Sequence, residues 1–314
     1  MGLSAPKRTG PSAVTKLAVP AARSAWRRYP RELVGSVSDA WAGRSLFAPA
    51  SAGGGEAARG LAGTDLGVVW LGHAGALVRL GDSLVLLDPV LSARIGPRVG
   101  GRTLGLGRLS AAPLHPSHLP EIDAVVLSHA HFDHLDVPTL EAIASPRTAV
   151  ITARGTRGLI PAGFGRVVEV DWGKRERVEG LEFEAIRPEH WGARTALDRE
   201  RGFNAYLIRS LGGRGRRVFF GGDTAATEAF RGVEADVAVL GIGGYDPWEH
   251  AHATPEQAWG MFAGMRAERV LPVHHSTFRM SDEPVGEPLE RLMGAAGREC
   301  ERVIVAPAGG GWAA

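Results

Sequence analysis

The sequence contains one cysteine and no long apolar run. Cys300 has no partner for an internal disulfide and no cysteine or histidine near it at the spacing of a metal site, so it is expected to be a buried structural thiol. No apolar run reaches the roughly 18 residues that a membrane-spanning helix needs. The N-terminus also lacks the apolar stretch that follows the basic start of a signal peptide. Secretion is therefore not expected, and the predicted location is cytoplasmic.

Composition is otherwise typical of a globular, loop-rich protein. Apolar residues make up 44% and charged residues 22% of the 314 positions, which are ordinary fractions for a globular chain. The 43 glycines and 20 prolines indicate many turns and loops. The length suits one large domain or two small ones.

Charge is distributed unevenly along the chain. The first 60 residues contain nine basic and three acidic residues, whereas the remainder contains 27 basic and 31 acidic residues. Residues 1–63 are rich in Ala, Ser, Pro and Gly, and they are predicted to form a basic, flexible arm ahead of a folded domain at 64–314. An amphipathic segment at Ala22–Trp41 would let residues 1–60 contact anionic membranes peripherally. No nucleic-acid partner is expected, and the sequence does not indicate the oligomeric state.

Short β-rich runs follow Asp65. Gly81-Asp82 and Gly212-Gly213-Arg214-Gly215 each separate two such runs and predict β-hairpins. The predicted strands are Gly67–Leu71, Ala76–Leu80, Leu84–Leu87, Ala124–Leu127, Ala149–Thr152, Val167–Val170, Leu181–Ile186, Ala205–Arg209, Val218–Phe220, Val237–Leu240, Val270–Pro272 and Val303–Val305.

Helices are fewer than strands. One is predicted at Val137–Ala144, with Asp136 as its N-cap, and another at Pro255–Met265, with Thr254 as its N-cap. Because the strands fall in two halves with helices between them, two packed sheets covered by helices are expected.

The densest group of functional side chains is Ser128-His129-Ala130-His131-Phe132-Asp133-His134, directly after the apolar run Ala124–Leu127. Imidazole nitrogens and carboxylate oxygens are ligands that Zn²⁺ takes in proteins. A tight loop at the end of a strand can direct alternate side chains toward two different ions. The candidate metal ligands in this loop are His129, His131, Asp133 and His134.

This loop resembles the signature of the metallo-β-lactamase superfamily, whose fold is an α/β, four-layer αβ/βα sandwich. In that family a later histidine completes the first metal site, an aspartate bridges the two ions, and a last histidine completes the second. The matching positions here are His190, Asp223 and His274. The resemblance implies two metal ions, expected to be Zn²⁺, with Mn²⁺ or Fe²⁺ as alternatives.

The local sequence around His190, Asp223 and His274 also bears on whether each residue binds a metal. Asp223 follows Gly221-Gly222, which lets the backbone bring the carboxylate close to the site, although a turn aspartate would follow glycines equally well. His190 stands beside Trp191 and could be a packed core residue. Only one of the adjacent His274 and His275 is expected to reach a metal, and His274 is preferred.

Flanking residues resemble one branch of the superfamily, which contains N-acylphosphatidylethanolamine phospholipase D and the ascorbate-6-phosphate lactonases. The likeness is closer to the phospholipase because of His190-Trp191 and Asp198-Arg199. The other segments that carry it are Trp70-Leu71-Gly72-His73-Ala74-Gly75, His252-x-x-Pro255-Glu256-x-Ala258, Thr277-Phe278 and Glu283-Pro284.

The same likeness places two more histidines near the pocket. His73 and His252 are candidate proton donors or phosphate-binding groups, and each is equally consistent with a hydrogen-bonded structural role. The chain departs from the family form after the last ligand, where His275-Ser276 replaces Trp-Gly. An altered pocket wall is expected there.

The expected activity of the domain at 64–314 is metal-dependent hydrolysis through a metal-bridged hydroxide, with Asp133 able to accept a proton. The expected substrate is a small-molecule or lipid phosphodiester, and a sugar-phosphate lactone is the alternative. A flavodiiron enzyme would have Glu in place of His131. A nuclease would need a cap domain within the 51 positions from Asp223 to His274. A non-catalytic metal-binding protein would need a broken ligand set.

Overall fold

Two β-sheets form the framework of the computed structural model, which describes residues 46–47, 58–195 and 197–314. Most of the predicted arm, residues 1–45 and 48–57, lies outside the described residues, and the predicted amphipathic segment lies there with it. In chain order the strands are β1 (Leu66–Gly72), β2 (Gly75–Leu80), β3 (Ser83–Leu87), β4 (Arg94–Ile95), β5 (Arg98–Val99), β6 (Arg102–Thr103), β7 (Leu106–Gly107), β8 (Ala124–Leu127), β9 (Ala149–Ala153), β10 (Arg166–Val170), β11 (Arg175–Val178), β12 (Leu181–Ile186), β13 (Ala205–Ser210), β14 (Arg217–Phe220), β15 (Glu234–Gly241), β16 (Arg266–Val273) and β17 (Gly311–Ala313).

The two large sheets combine antiparallel and parallel pairing. The seven-stranded sheet has the order β10-β9-β8-β3-β2-β1-β17, and the six-stranded sheet has the order β11-β12-β13-β14-β15-β16. Strands β3, β8, β9 and β10 run parallel, as do β14, β15 and β16. Because the carboxyl ends of parallel strands meet at one edge of a sheet, the loops after β3, β8, β14 and β16 gather there. The predicted hairpins β2–β3 and β13–β14 are confirmed.

The core has three apolar layers. The largest lies between the two sheets and includes Val78, Phe183 and Tyr206. The helices α1 (Val137–Ile143), α2 (Pro255–Gly264) and α3 (Glu287–Ala296) lie on the outer faces of the sheets. The predicted α/β sandwich is therefore confirmed. No helix in the part of the chain that the structure describes is long and apolar enough to cross a membrane.

The N-caps of the two predicted helices differ. Thr254 forms a capping box with Gln257 at the start of α2, as its sequence predicts. Asp136 occupies the N-cap position of α1, but its side chain makes no capping hydrogen bond. Its carboxylate instead accepts hydrogen bonds from the hydroxyls of Ser92 and Thr139, so it ties the helix to the loop after β3.

Two expectations near the C-terminus are wrong. Val303–Val305 is not a strand, because Val303 donates its N–H to Cys300 and only one bridge, to Val270, forms before the chain leaves the sheet. Cys300 is exposed rather than buried, since it lies in the surface 3-10 helix Gly297–Arg302, which buries none of its residues. The additions to the predicted elements are the short strands β4 to β7, strands β11 and β17, and helix α3.

Candidate metal centre

All seven predicted metal ligands lie together where the two sheets meet. The loop 128–134 follows β8, and single ligand positions follow β12, β14 and β16. Strands β8, β14 and β16 belong to parallel pairs, and their carboxyl ends lie on the side of the two sheets where the ligands gather. Residues that are up to 145 positions apart in the sequence therefore come within reach of one another.

One cluster consists of His129, His131, His190 and Asp223. The Nδ1 atom of His131 lies 2.7 Å from His129 Nε2 and 3.4 Å from His190 Nε2. Asp223 Oδ2 lies 3.7 Å from His190 Nε2 and 3.9 Å from His129 Nε2. Three ring nitrogens and one carboxylate oxygen thus surround a common point.

A second cluster contains His73, Asp133, His134 and His274. Asp133 Oδ2 lies 3.3 Å from His274 Nε2 and 3.4 Å from His134 Nε2. Asp223 Oδ2, from the first cluster, lies 3.0 Å from His134 Nε2 and 3.4 Å from His274 Nε2. One oxygen atom is therefore placed to serve both clusters.

The charge states of the first cluster suit a cation. Burial lowers the pKa of His129, His131 and His190, so these rings are neutral and their nitrogens are free to bind a metal. Burial alone would raise the pKa of Asp223, but the neighbouring histidines, His134 first among them, hold it well below its usual value. The carboxylate is therefore ionised.

The second cluster is centred on a buried nitrogen. His134 Nε2 forms no well-aligned hydrogen bond, although the carboxylate oxygens of Asp223 and Asp133 lie 3.0 and 3.4 Å from it. Although burial disfavours the charged form, the carboxylates of Asp223 and Asp133 raise the pKa of His134 well above its usual value. A cation at this position would displace that proton. Together the two clusters offer the nitrogen and oxygen donors that fit two divalent cations.

Hydrogen bonds behind the rings fix their orientation. The Nδ1 atoms of His190 and His274 donate to the carbonyl oxygens of Ala251 and Gly243, at 3.0 and 3.2 Å. His134 Nδ1 donates to the carboxylate of Asp88 at 2.5 Å. Each of these bonds leaves Nε2 directed toward the centre, which is the usual arrangement around metal-binding histidines.

Asp88 is a functional residue that the sequence interpretation missed. Its carboxylate is fully buried and also accepts hydrogen bonds from the backbone and hydroxyl of Ser128. It therefore joins the end of β3 to the ligand loop after β8. The signal was present in the sequence, since Asp88 directly follows the apolar residues of β3.

The backbone is strained around the centre. Asp88, His73 and His274 have φ values of 32°, 50° and 61°, which non-glycine residues rarely adopt. Gly222 has a φ of 57°, and a Cβ there would lie 2.8 Å from the Cβ of Ser128. The glycine before Asp223 is thus required by a close approach to the ligand loop, in agreement with the expectation for Gly221-Gly222.

The two candidate catalytic histidines occupy different positions. His73 is 1% exposed, and its Nε2 lies 2.8 Å from Asp133 Oδ2, so it is paired with that carboxylate and has little access to solvent. The side chain of His252 is 15% exposed, and its Nδ1 lies 3.8 Å from Asp223 Oδ2. His252 is therefore the better placed of the two to contact a substrate.

The adjacent residues His274 and His275 lie in different surroundings. His274 belongs to the second cluster, whereas His275 stacks on Trp70 with ring centroids 4.6 Å apart. Burial lowers the pKa of His275 to about 4, so its ring is neutral. Together with Ser276, it lines a small cavity beside His274, at the position where the family form predicts an altered wall.

Arg194 connects the two halves of the centre. It comes four residues after His190, yet its Nη1 donates to the carbonyl oxygens of Ala130 and Leu135, at 2.8 and 2.9 Å. Its guanidinium also lies 4.1 Å from the centroid of the Phe132 ring. One side chain thus holds both ends of the ligand loop against the loop that carries His190. No local motif in the sequence reveals this role.

Arg194→Lys is expected to weaken metal retention by about 10–100-fold, the usual effect of a residue that supports metal ligands. A lysine ammonium cannot reproduce the planar fork that bridges two carbonyl oxygens while stacking on a ring. The measurement is metal loss to a competing chelator, with the unfolding temperature recorded in parallel. Arg231→Ala is the control, since that side chain is exposed and pairs with Glu228. Equal metal retention in both variants would contradict this role for Arg194.

A family model for the beta-lactamase superfamily domain matches residues 84–275 of this chain. This chain belongs to the β-lactamase superfamily. Among the curated relatives of this superfamily member is an uncharacterized protein of Mycobacterium tuberculosis, 34% identical over 261 residues. The match covers 77% of this chain and 66% of the mycobacterial protein, so the chain spans slightly less than two thirds of that relative.

Other comparisons agree with the branch and the fold. The N-acyl-phosphatidylethanolamine-hydrolyzing phospholipase D 1 of Caenorhabditis elegans is 27% identical over 71% of this chain and 67% of its own length. A crystal structure of a "possible metal-dependent hydrolase" from Veillonella parvula has a TM-score of 0.62 at 16% identity, covering 80% of this chain and 100% of that one. The predicted family and fold are confirmed.

Proposed function

We propose that this protein is a binuclear phosphodiesterase, most active on phospholipid-like or other anionic phosphodiesters. The observation that carries the proposal is the position of Asp223 Oδ2, which lies between the two ligand clusters. A shared carboxylate holds two cations about 3.5–4 Å apart, the spacing used for in-line displacement at phosphorus.

The proposed ligands of the first ion are His129, His131, His190 and Asp223. Those of the second are Asp133, His134, His274 and Asp223. When bound, two divalent cations, expected to be Zn²⁺, would act as Lewis acids toward a phosphoryl oxygen and lower the pKa of a nearby water.

The remaining steps belong to side chains of this chain. Although burial opposes it, His134 and the other neighbouring histidines hold the pKa of Asp133 well below its usual value, so its carboxylate is ionised, and it is proposed as the group that accepts the proton of the attacking water. His73 keeps Asp133 in place through the 2.8 Å contact. Burial lowers the pKa of His252 to about 4, so its ring is neutral, and it is proposed to bind a phosphoryl oxygen of the substrate through its ring N–H beside Asp223 and His274.

The surroundings of the centre support an anionic substrate. A groove of about 560 Å³ leads away from His131 and is lined by Trp191, Arg194 and Arg199. Two guanidinium groups along this groove would attract a phosphodiester and would give no comparable advantage to an uncharged lactone.

A hydrolysis screen tests the proposal. The metal-loaded protein is expected to cleave bis(p-nitrophenyl) phosphate at least about tenfold faster, in kcat/KM, than a simple lactone or a β-lactam, which corresponds to roughly 1.4 kcal/mol of transition-state stabilisation. Asp223→Ala, assayed on the same panel, controls for contaminating activity. Turnover of lactones without turnover of any phosphodiester would replace the proposal with a lactonase.

A further inference from the structure

We propose that a basic, partly apolar surface beside the metal centre docks this domain on an anionic phospholipid membrane. This surface, called the rim here, consists of residues 154–157, 171–175, 187–195 and 197–201. The inference rests on the proposed function in one respect, namely that the substrate is lipid-linked, and it adds the surface through which such a substrate would be reached.

The rim is one continuous surface. Gly202 donates its N–H to the carbonyl oxygen of Arg154 at 2.8 Å, which joins the end of the 187–201 segment to the 154–157 segment. Trp172 Nε1 donates to the carbonyl oxygen of Phe203 at 2.6 Å and joins the 171–175 segment to the same stretch of chain. At its inner end, Trp191 stacks on His190 with centroids 4.5 Å apart. The rim therefore borders the metal centre directly.

Large apolar side chains are exposed on the rim. Leu197 is 97% exposed, Trp191 40% and Trp172 39%. Single exposed apolar residues are common on any protein, but here Trp191 lines the groove beside His131, and Trp172 and Leu197 are exposed on the same rim. Tryptophan is enriched at membrane interfaces, where its ring lies at headgroup level. A fully exposed leucine at the tip of a loop is suited to insertion between lipids.

The rim is also basic on an otherwise acidic domain. It contains eight basic and four acidic residues, whereas the chain after residue 60 contains 27 basic and 31 acidic residues. Two of the four acidic residues, Asp171 and Asp198, lie close to arginines of the rim itself. The basic residues of the rim are Arg154, Arg157, Lys174, Arg175, Arg187, Arg194, Arg199 and Arg201.

This combination favours a lipid surface as the partner. Basic residues near a membrane are attracted to anionic headgroups, while the aromatic and aliphatic side chains enter the interface. The groove lined by Trp191 and Arg199 then lies between the membrane and His131. A phospholipid could place its phosphate at the metal centre while its acyl chains stay in the bilayer.

The test compares two variants of the metal-loaded, full-length protein. Leu197→Asp combined with Lys174→Glu removes one apolar and one basic group from the rim, and neither residue lies in the ligand clusters. Leu211→Asp is the matched control, because Leu211 is 49% exposed and follows β13 at the end opposite the centre. Binding is measured by co-flotation with vesicles of phosphatidylcholine containing increasing phosphatidylglycerol.

The wild-type protein and the control are expected to bind more tightly as phosphatidylglycerol rises and more weakly as salt rises. The rim variant should lose about tenfold or more in vesicle affinity. Its kcat/KM on bis(p-nitrophenyl) phosphate and its metal content should stay within about twofold of wild type. That combination separates docking from catalysis.

Three results would overturn the docking surface. The first is a rim variant that binds vesicles as tightly as the wild-type protein. The second is an equal loss of vesicle affinity in the Leu211→Asp control. The third is a wild-type protein whose vesicle affinity does not change with the fraction of anionic lipid. If the rim variant binds normally and deletion of residues 1–45 abolishes binding, the contact belongs to the arm. A rim-dependent protein that cleaves no soluble phosphodiester would retain the docking surface and reject the proposed phosphodiesterase.

Discussion

His274→Ala is expected to lose one of the two metal ions and more than about a hundredfold in kcat, whereas His275→Ala should retain both ions. His274 Nε2 lies within 3.4 Å of the carboxylate oxygens of both Asp133 and Asp223. His275 points away from them and stacks on Trp70. Residues that only support ligands cost about 10–100-fold in affinity or activity, so loss of a ligand should exceed that range.

Elemental analysis after gel filtration is the direct measurement for this pair, with steady-state kinetics alongside. His275→Ala is expected to change KM more than kcat, since its ring forms part of the wall of the cavity beside His274. The opposite result, with the metal lost from His275→Ala and kept in His274→Ala, would show that the ligand register after β16 is wrong.

Asp223→Ala is expected to reduce the metal content from about two equivalents to less than one and to abolish turnover. Its Oδ2 lies within 4 Å of ring nitrogens of both clusters, so both proposed sites lose a ligand at once. The loss also leaves several buried histidines without their nearest negative charge, which further weakens each site. His190→Ala should behave differently, because its Nε2 belongs to the first cluster alone.

Metal titration of the chelator-treated protein distinguishes these variants. Wild type should take up about two equivalents of Zn²⁺ with recovery of activity, and His190→Ala should take up about one. Circular dichroism before and after chelation checks that the domain stays folded. Equal stoichiometry in Asp223→Ala and His190→Ala would mean that Asp223 does not serve both sites, and a tightly bound flavin would indicate redox chemistry instead.

Local sequence patterns predict most of the strands because each strand has its own turn signals and apolar run. Eleven of the twelve predicted strands are present within a few residues of their expected bounds. The twelfth, Val303–Val305, is wrong because a 3-10 turn and the edge of the sheet limit it to a single bridge. Helix α3 has a helical repeat of buried residues at Pro288, Leu292 and Ala296 that the interpretation missed.

The residues of the candidate site also differ in how far the sequence predicts them. The ligand loop 129–134 is recognisable because its side chains are adjacent in sequence and directly follow an apolar strand. His190, Asp223 and His274 are single residues, and their assignment came from a family resemblance. Asp88 has only the weaker signal of following an apolar run, and Arg194 has no local signal, so their hydrogen bonds were needed to show what each residue does.

The sequence by itself determined the kind of chemistry, because a histidine- and aspartate-rich loop after a buried strand specifies nitrogen and oxygen donors for a metal. The tertiary structure decided which side chains share the centre, with His274 inside it and His275 against Trp70. It also paired His73 with Asp133 and placed Arg194 across the two ligand loops. The physical reason is that donor type is a property of each residue, whereas distance and orientation depend on how two sheets bring together loops far apart in the chain.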